Sequence, residues 1–208
     1  MLSILDGKYG HWHSVKTRES IGIDGEPTPW YTYPAIEYLD QLDFTEKTVF
    51  EWGAGNSSRY WARSAKSVVS VEDDPIWYRK IQQYRSDNLD IHLIQDKQRY
   101  IDAIRQNDQK YDVIIVDGSY RHQCALIAPL FLREGGVIVL DNSDWYPDSA
   151  KFLRDAGLLQ VDFSGFVPVA LLTSTTSLFF RRDFSVSSKS NQQPRPSLGS
   201  VPAPQNIS

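Results

Sequence analysis

The 208-residue sequence predicts a three-layer α/β domain, a parallel sheet held between two layers of helices. Three observations carry that expectation. Short β-branched or aromatic runs alternate with longer stretches of helical composition, which implies repeated crossover units. Two of the runs, DVIIVD and GVIVLD, are continuously apolar, as strands buried on both faces are. Each of the first five runs also presents an acidic residue at or just past its end, the edge where an open parallel sheet binds its ligands.

Taken in order, residues 1–30 carry turn signals and scattered aromatics without a period. They read as an irregular arm lying over the domain, beside a ligand site. His11-Trp12-His13 has alternate spacing in that arm and reads as surface rather than as a metal pair. PWYTYPAIEYL (29–39) begins a core helix, with Trp30 and Tyr33 placed where a lid over a ligand would be. Strands follow at 48–52, 67–72, 91–94, 112–117 and 136–141. Between them SSRYWARSA, PIWYRKIQQYRS, RYIDAIRQN and HQCALIAPLFLR are helical. Pro75 suits a first helical turn, and Gly135-Gly136 a turn into the fifth strand. PDSAKFLRDAG is a helix closed by Gly157. LLQVDF and SLFFRR then form an antiparallel hairpin. The folded domain is expected to span 31–184. Residues 185–208, rich in Ser, Pro, Gln and Asn, offer little to bury and are expected to form a disordered tail.

Composition narrows the function classes. A formal charge of −4 without a basic block argues against a nucleic-acid-coating surface. Cys124 is the single cysteine, which excludes an intramolecular disulfide and a cysteine-based zinc site and suits a buried thiol in a reducing compartment. The opening MLSILDGKYG lacks the basic start and apolar run of a signal peptide, and no apolar stretch reaches membrane-spanning length. A cytoplasmic location is the expectation.

The chemistry sits at the strand ends. Strand one finishes in Glu51 and the turn Gly53-Ala54-Gly55-Asn56-Ser57-Ser58, strand two in Glu72-Asp73-Asp74. Strand three is followed by Gln95-Asp96, strand four by Asp117-Gly118, and strand five by Asp141-Asn142. A dinucleotide site would set pyrophosphate on the first helix N-terminus, behind apolar residues. Glu51 would repel that phosphate, and Ser58 stands where the third glycine belongs. A ligand with a cationic amino group, a ribose diol and an adenine suits the array better, and S-adenosylmethionine has all three. Glu72 can accept both ribose hydroxyl hydrogens, and Asp96 is placed for the adenine amino group.

FEWGAGNSS, SVVSVEDD, YDVIIVDGSY and LREGGVIVLDN, in this order and spacing, resemble the successive motifs of class I S-adenosylmethionine-dependent methyltransferases. The resemblance implies a Rossmann-like, mostly parallel seven-stranded sheet with an antiparallel last strand. It implies further that Glu51 contacts the methionine amino group through the turn or a water. Gly53, Ala54 and Gly55 would line the cofactor, Asn56 and Ser57 would hold its carboxylate, and Glu72 and Asp73 would bind the ribose side. Asp96, Lys97 and Asp117 complete the implied cofactor site. VDGSYR followed by LREGGVIVLDNSDW is similar to the divalent-cation-dependent O-methyltransferases. In them Asp117, Asp141 and Asn142 would hold Mg2+ or a similar hard cation. Those enzymes carry a lysine where this chain has Tyr120, and His122 stands near enough in sequence to serve as a base instead.

The expected function is methyl transfer from S-adenosylmethionine to a small-molecule acceptor, with oxygen as the acceptor atom. Asp117 and His122 are the catalytic candidates. The alternatives are a catalytically silent methyltransferase-like binding module working through its arm or tail, and an aminopropyl transferase. A nicotinamide-dependent oxidoreductase is disfavoured by Glu51 and Ser58.

Overall fold

Each apolar run becomes a strand, and the runs meet in one sheet. In the computed structural model, which describes residues 2–84, 86–106, 109–190 and 193–201, the strands are β1 (Thr48–Trp52), β2 (Ser67–Glu72), β3 (Leu89–Leu93), β4 (Tyr111–Val116), β5 (Leu132–Leu140), β6 (Leu159–Phe166) and β7 (Thr173–Phe180). Their order is β3-β2-β1-β4-β5-β7-β6. The first five are parallel, and β7 runs antiparallel between β5 and β6. The chain moves outward from β1 to β3, then crosses back to lay β4 on the other side of β1. That reversal splays the connections after β1 and β4 apart and opens a crevice at their carboxyl ends.

Alternation along the strands divides the core in two. Phe50 and Trp52 of β1 and Ile114 and Val116 of β4 point into the layer holding α6 (Lys97–Ile101), α7 (Arg121–Ile127) and α8 (Pro147–Asp155). The Trp52 indole is fully buried there and donates to the Tyr100 carbonyl at 2.9 Å. Val49, Val113 and Ile115 face the opposite layer, with α3 (Tyr33–Leu39) and α4 (Asn56–Ser64). Trp61 of α4 is fully buried in that layer, edge-on to Phe44. Outside these lies α5 (Pro75–Ile81), which opens on Pro75 and is capped by the Asp74 carboxylate on the Ile76 and Trp77 amides.

Both ends of the chain depart from expectation. The arm is not irregular throughout, since it contains α1 (Leu2–Gly7) and α2 (His11–Thr17). His11 is not on the surface. It is buried, with Nδ1 3.1 Å from the Tyr33 hydroxyl and its ring edge-on to Phe166, so α2 docks on α3 and β6 through a face too short to show a helical period. The tail is not wholly without structure either. Ser188 bridges Leu42, the Lys189 amide donates to the Gln41 carbonyl at 2.8 Å, and the Asp43 amide donates to the Ser187 carbonyl at 2.7 Å. These are backbone bonds, which a polar composition does not forbid. The expected disorder of 202–208 lies outside the described residues. No helix among the described residues is long and apolar enough to cross a membrane.

Candidate active site

The turn after β1 is built around a close backbone contact. Gly53 has φ +98°, and a Cβ there would lie 2.6 Å from the Gly118 backbone. Gly118, in the turn after β4, has no room for a side chain either, because the Tyr100 hydroxyl and Gly53 fill the space. Two glycines therefore let the turns after β1 and β4 touch, and the crevice opens beside them. It is a cleft of about 570 Å³, within the range of small-molecule and cofactor sites.

One wall is the turn Gly53, Ala54, Gly55, Asn56 and Ser57. The next is Glu72, Asp73 and Asp74 at the end of β2. Asp117, Gly118, Ser119 and Arg121 follow β4, and Asp141 and Asn142 follow β5. Ten of the expected site residues are thus brought together: Gly53, Ala54, Gly55, Asn56, Ser57, Glu72, Asp73, Asp117, Asp141 and Asn142. Glu72 Oε1 accepts the Asp73 and Asp74 amides at 3.1 and 2.9 Å. Burial raises its carboxyl to about 7 even so, the Asp74 amide acting in the opposite sense.

Four expected residues, Glu51, Asp96, Lys97 and His122, do not line the cleft. Glu51 lies behind the turn, fully buried, where Oε2 accepts the Ser58 and Ser70 hydroxyls. The Ser58 hydroxyl also accepts the Gly55 amide at 3.0 Å, so Glu51 shapes the turn from beneath. Burial pushes its carboxyl up to about 7, and Oε1 has no hydrogen-bond partner among the described residues. Asp96 is exposed and caps α6, accepting the Arg99 amide at 2.9 Å, while Lys97 sits over the Tyr120 ring at 5.1 Å. His122 faces α8, its Nδ1 3.0 Å from Ser149 Oγ. Helical residues one apart point about 100° apart. Because α7 begins at Arg121, it is the arginine that turns into the cleft and the histidine that turns away.

Other lining residues came from segments without a readable motif. Arg18, Ser20 and Trp30 reach in from the arm, Trp77 from α5, Trp145 from the turn after β5, and Val167, Val169, Ala170 and Leu172 from the β6–β7 connection. Trp30 is where a lid was expected. The Asn56 amide donates to the Ser20 carbonyl at 2.8 Å, and the Val169 amide to Ser14 Oγ at 3.2 Å; the arm is thereby fastened to both sides of the opening. Arg18, Asn142 and Val169 hold left-handed φ values of 57°, 49° and 69°. Such backbone costs about 1–2 kcal/mol per residue and collects at functional sites.

Asp117, Asp141 and Asn142 converge as the cation-dependent resemblance implies, but on a guanidinium. Arg121 Nη2 lies 2.8 Å from Asp117 Oδ1, and Nη1 lies 2.7 Å from Asn142 Oδ1 and 3.9 Å from Asp141 Oδ2. Burial raises Asp117 to about 6, with Arg121 opposing. Burial and the Asp117 charge hold Asp141 well above the ordinary carboxyl range. Among the described residues no cluster of three His, Cys, Asp or Glu side chains is arranged to hold an ion. The expected Mg2+ does not fit these residues as they stand, because the positive charge is already supplied by the protein.

Neither family models nor curated proteins match this sequence. Solved structures do match its fold. Precorrin-6y C5,15-methyltransferase from Geobacter metallireducens superposes with a TM-score of 0.56 at 13% identity, over 71% of this chain and 87% of that one. The fibrillarin pre-rRNA processing protein of Methanococcus jannaschii gives 0.54 at 14% identity, over 70% and 73%. The O-methyltransferase TomG from Streptomyces achromogenes, solved with S-adenosylmethionine, gives 0.53 at 16% identity, over 71% and 77%. The chain has the Rossmann-like fold of class I S-adenosylmethionine-dependent methyltransferases.

Proposed function

We propose that the protein transfers a methyl group from S-adenosylmethionine to a small-molecule acceptor, with oxygen as the acceptor atom. One observation carries the reading. The Gly53–Ser57 turn and Glu72, one strand away, line the same cleft, as a ligand with a methionine moiety and a ribose diol requires. Fold neighbours support it, TomG being an O-methyltransferase solved with that cofactor.

In this reading Glu72 accepts the two ribose hydroxyls, and the turn backbone and Ser57 hold the methionine end. Asp117 lines the same cleft, which is also walled by Trp30, Trp145, Val167 and Leu172. Those apolar and aromatic side chains suit a flat, mostly apolar acceptor. The acceptor oxygen forms its bond to the methyl carbon as the carbon–sulfur bond breaks, and the bonding pair stays on sulfur. The acceptor's proton passes to Asp117. Alignment supplies much of the acceleration in such a displacement, so a full relay of catalytic groups is not required. The buried lone thiol of Cys124 suits a reducing, cytoplasmic setting.

Calorimetry of the purified protein with S-adenosylmethionine tests the cofactor, with saturable one-to-one binding expected. Incubation with methyl-labelled cofactor and a metabolite extract tests the transfer, which should vanish in Asp117→Ala. A folded protein that binds no S-adenosylmethionine ends this reading. Binding without any transfer would favour a silent module.

A further inference from the structure

Arg121 turns its hydrogen bonds onto the two turns that follow β4 and β5. A guanidinium carries five N–H groups. Here Nε donates to the Gly118 carbonyl at 3.0 Å, Nη1 to the Asp141 carbonyl and Asn142 Oδ1, both at 2.7 Å, and Nη2 to the Asp117 carbonyl at 2.8 Å. Nη2 also forms an ion pair with Asp117 Oδ1 at 2.8 Å, and every one of these oxygens belongs to the turn after β4 or the turn after β5. The oxygens are held from their other sides as well. Thr176 donates to Asp141 Oδ1 at 2.6 Å, and Asn142 Nδ2 donates to Ser174 Oγ at 3.0 Å. Tyr146 lies over the guanidinium with its ring centroid 5.5 Å away.

We infer that Arg121 is a resident cation, standing between the ends of β4 and β5 in the place of a divalent ion and making the site metal-independent. A hard cation would need these oxygens at about 2.0–2.6 Å. It could gain them only by expelling a half-buried arginine from four hydrogen bonds and its ion pair with Asp117, or by sitting beside a fixed positive charge. The arginine performs the geometric task of an ion without an ion's exchangeable positions. It locks the two turns together, including Tyr120 and Asn142, whose φ values of 54° and 49° need holding. With its hydrogen bonds spent on the two turns, it is a positioning residue. This consequence rests on the methyltransferase reading: the acceptor presents a single nucleophilic atom, because a vicinal pair of hydroxyls has no ion to chelate.

Metal binding can be read apart from catalysis. Wild-type protein is titrated with MnCl2 and followed by electron paramagnetic resonance, in parallel with Arg121→Gln and Arg121→Ala. Wild type is expected to show no site that depends on Asp141. At least one arginine variant is expected to bind Mn2+ about tenfold tighter or more, and the gain should disappear when Asp141→Asn is added. The wild-type protein also decides the matter without any variant. The Arg121 Nε–H resonance should be slow to exchange and should keep its line width when Mn2+ is added. Broadening of that resonance, Asp141-dependent Mn2+ binding to wild type, or folded arginine variants that gain no site would each overturn the inference. S-adenosylmethionine calorimetry on the same wild-type samples separates this outcome from failure of the methyltransferase reading, since neither result requires the other.

Discussion

Two buried glutamates divide work that the sequence assigned to both alike. Glu72 faces the cleft and Glu51 lies behind it, yet burial raises each to about 7. For Glu72 the expected partners are hydroxyls that donate to the ionised carboxylate. Two charge-assisted bonds of about 1.5 kcal/mol each are lost in Glu72→Ala, and S-adenosylmethionine affinity should fall about 100-fold by calorimetry. Below pH 7 the empty site is protonated, and binding must release that proton. Affinity should therefore decline by up to tenfold per pH unit as pH falls below about 7, and titrations in buffers of different ionisation enthalpy should report the released proton. Glu51 gives a stability effect instead. Its folded-state pKa of about 7 lies above the ordinary 4.5, so its contribution is most favourable below pH 4.5 and is lost as pH rises through 7. Glu51→Gln removes that dependence. The variant should gain on wild type between pH 5 and pH 8 by as much as about 3 kcal/mol, measured by urea unfolding. A difference that shrinks with rising pH would show that Glu51 is ionised and well solvated.

Among the elements, the turn after β1 and the start of α7 show how one or two residues fix a site. Gly53 combines a φ of +98° with a close approach to Gly118. Gly53→Ala meets both the left-handed penalty of about 1–2 kcal/mol and a clash with backbone, which cannot rotate away. It should lose more than about 2 kcal/mol in denaturant melts and abolish cofactor binding. The start of α7 decides between Arg121 and His122. Starting the helix one residue later would rotate every side chain by about 100°, and the histidine would face the cleft. Helix boundaries are hard to place from sequence because local preferences differ little from one residue to the next, and this boundary determined the identity of a site residue.

At the scale of the molecule, both chain ends are tied to the layer of α3. The arm crosses from α2 to the cleft through Ser20 and Trp30. The segment after β7 runs back along Gln41–Asp43, and Arg195 donates its amide to Gln41 Oε1 at 2.9 Å. Deleting residues 185–208 would remove these backbone bonds and the buried Val186. The melting temperature should drop by about 5–10 °C while the cleft is left intact, as scanning calorimetry with and without S-adenosylmethionine would show. An unchanged melting temperature would mean that the segment is not docked in solution.

The sequence by itself determined the strands, their parallel order and the acidic edge at their ends. Those follow from local signals: β-branched runs of strand length, glycines at forced turns and carboxylates at a fixed distance past each run. It also determined that the turn after β1, Glu72 and the residues after β4 and β5 would meet, because strand ends in such a sheet share one edge. Only the tertiary structure decided which of those carboxylates line the cleft. Glu51 and Glu72 lie on the same face of neighbouring strands, but Glu51 pairs with Ser70, two residues short of the end of β2, and stays beneath the turn, while Glu72 is the last residue of its strand and reaches the cleft. Tertiary structure also brought Arg18 and Trp30 of the arm, Trp77 of α5 and Trp145 after β5 to the cleft from three separate segments, a meeting that no spacing along the chain encodes. It decided the fate of the oxygen cluster too. Asp117, Asp141 and Asn142 read as a metal site in sequence, and one arginine, turned inward by the place where its helix begins, supplies the charge they were expected to borrow from an ion.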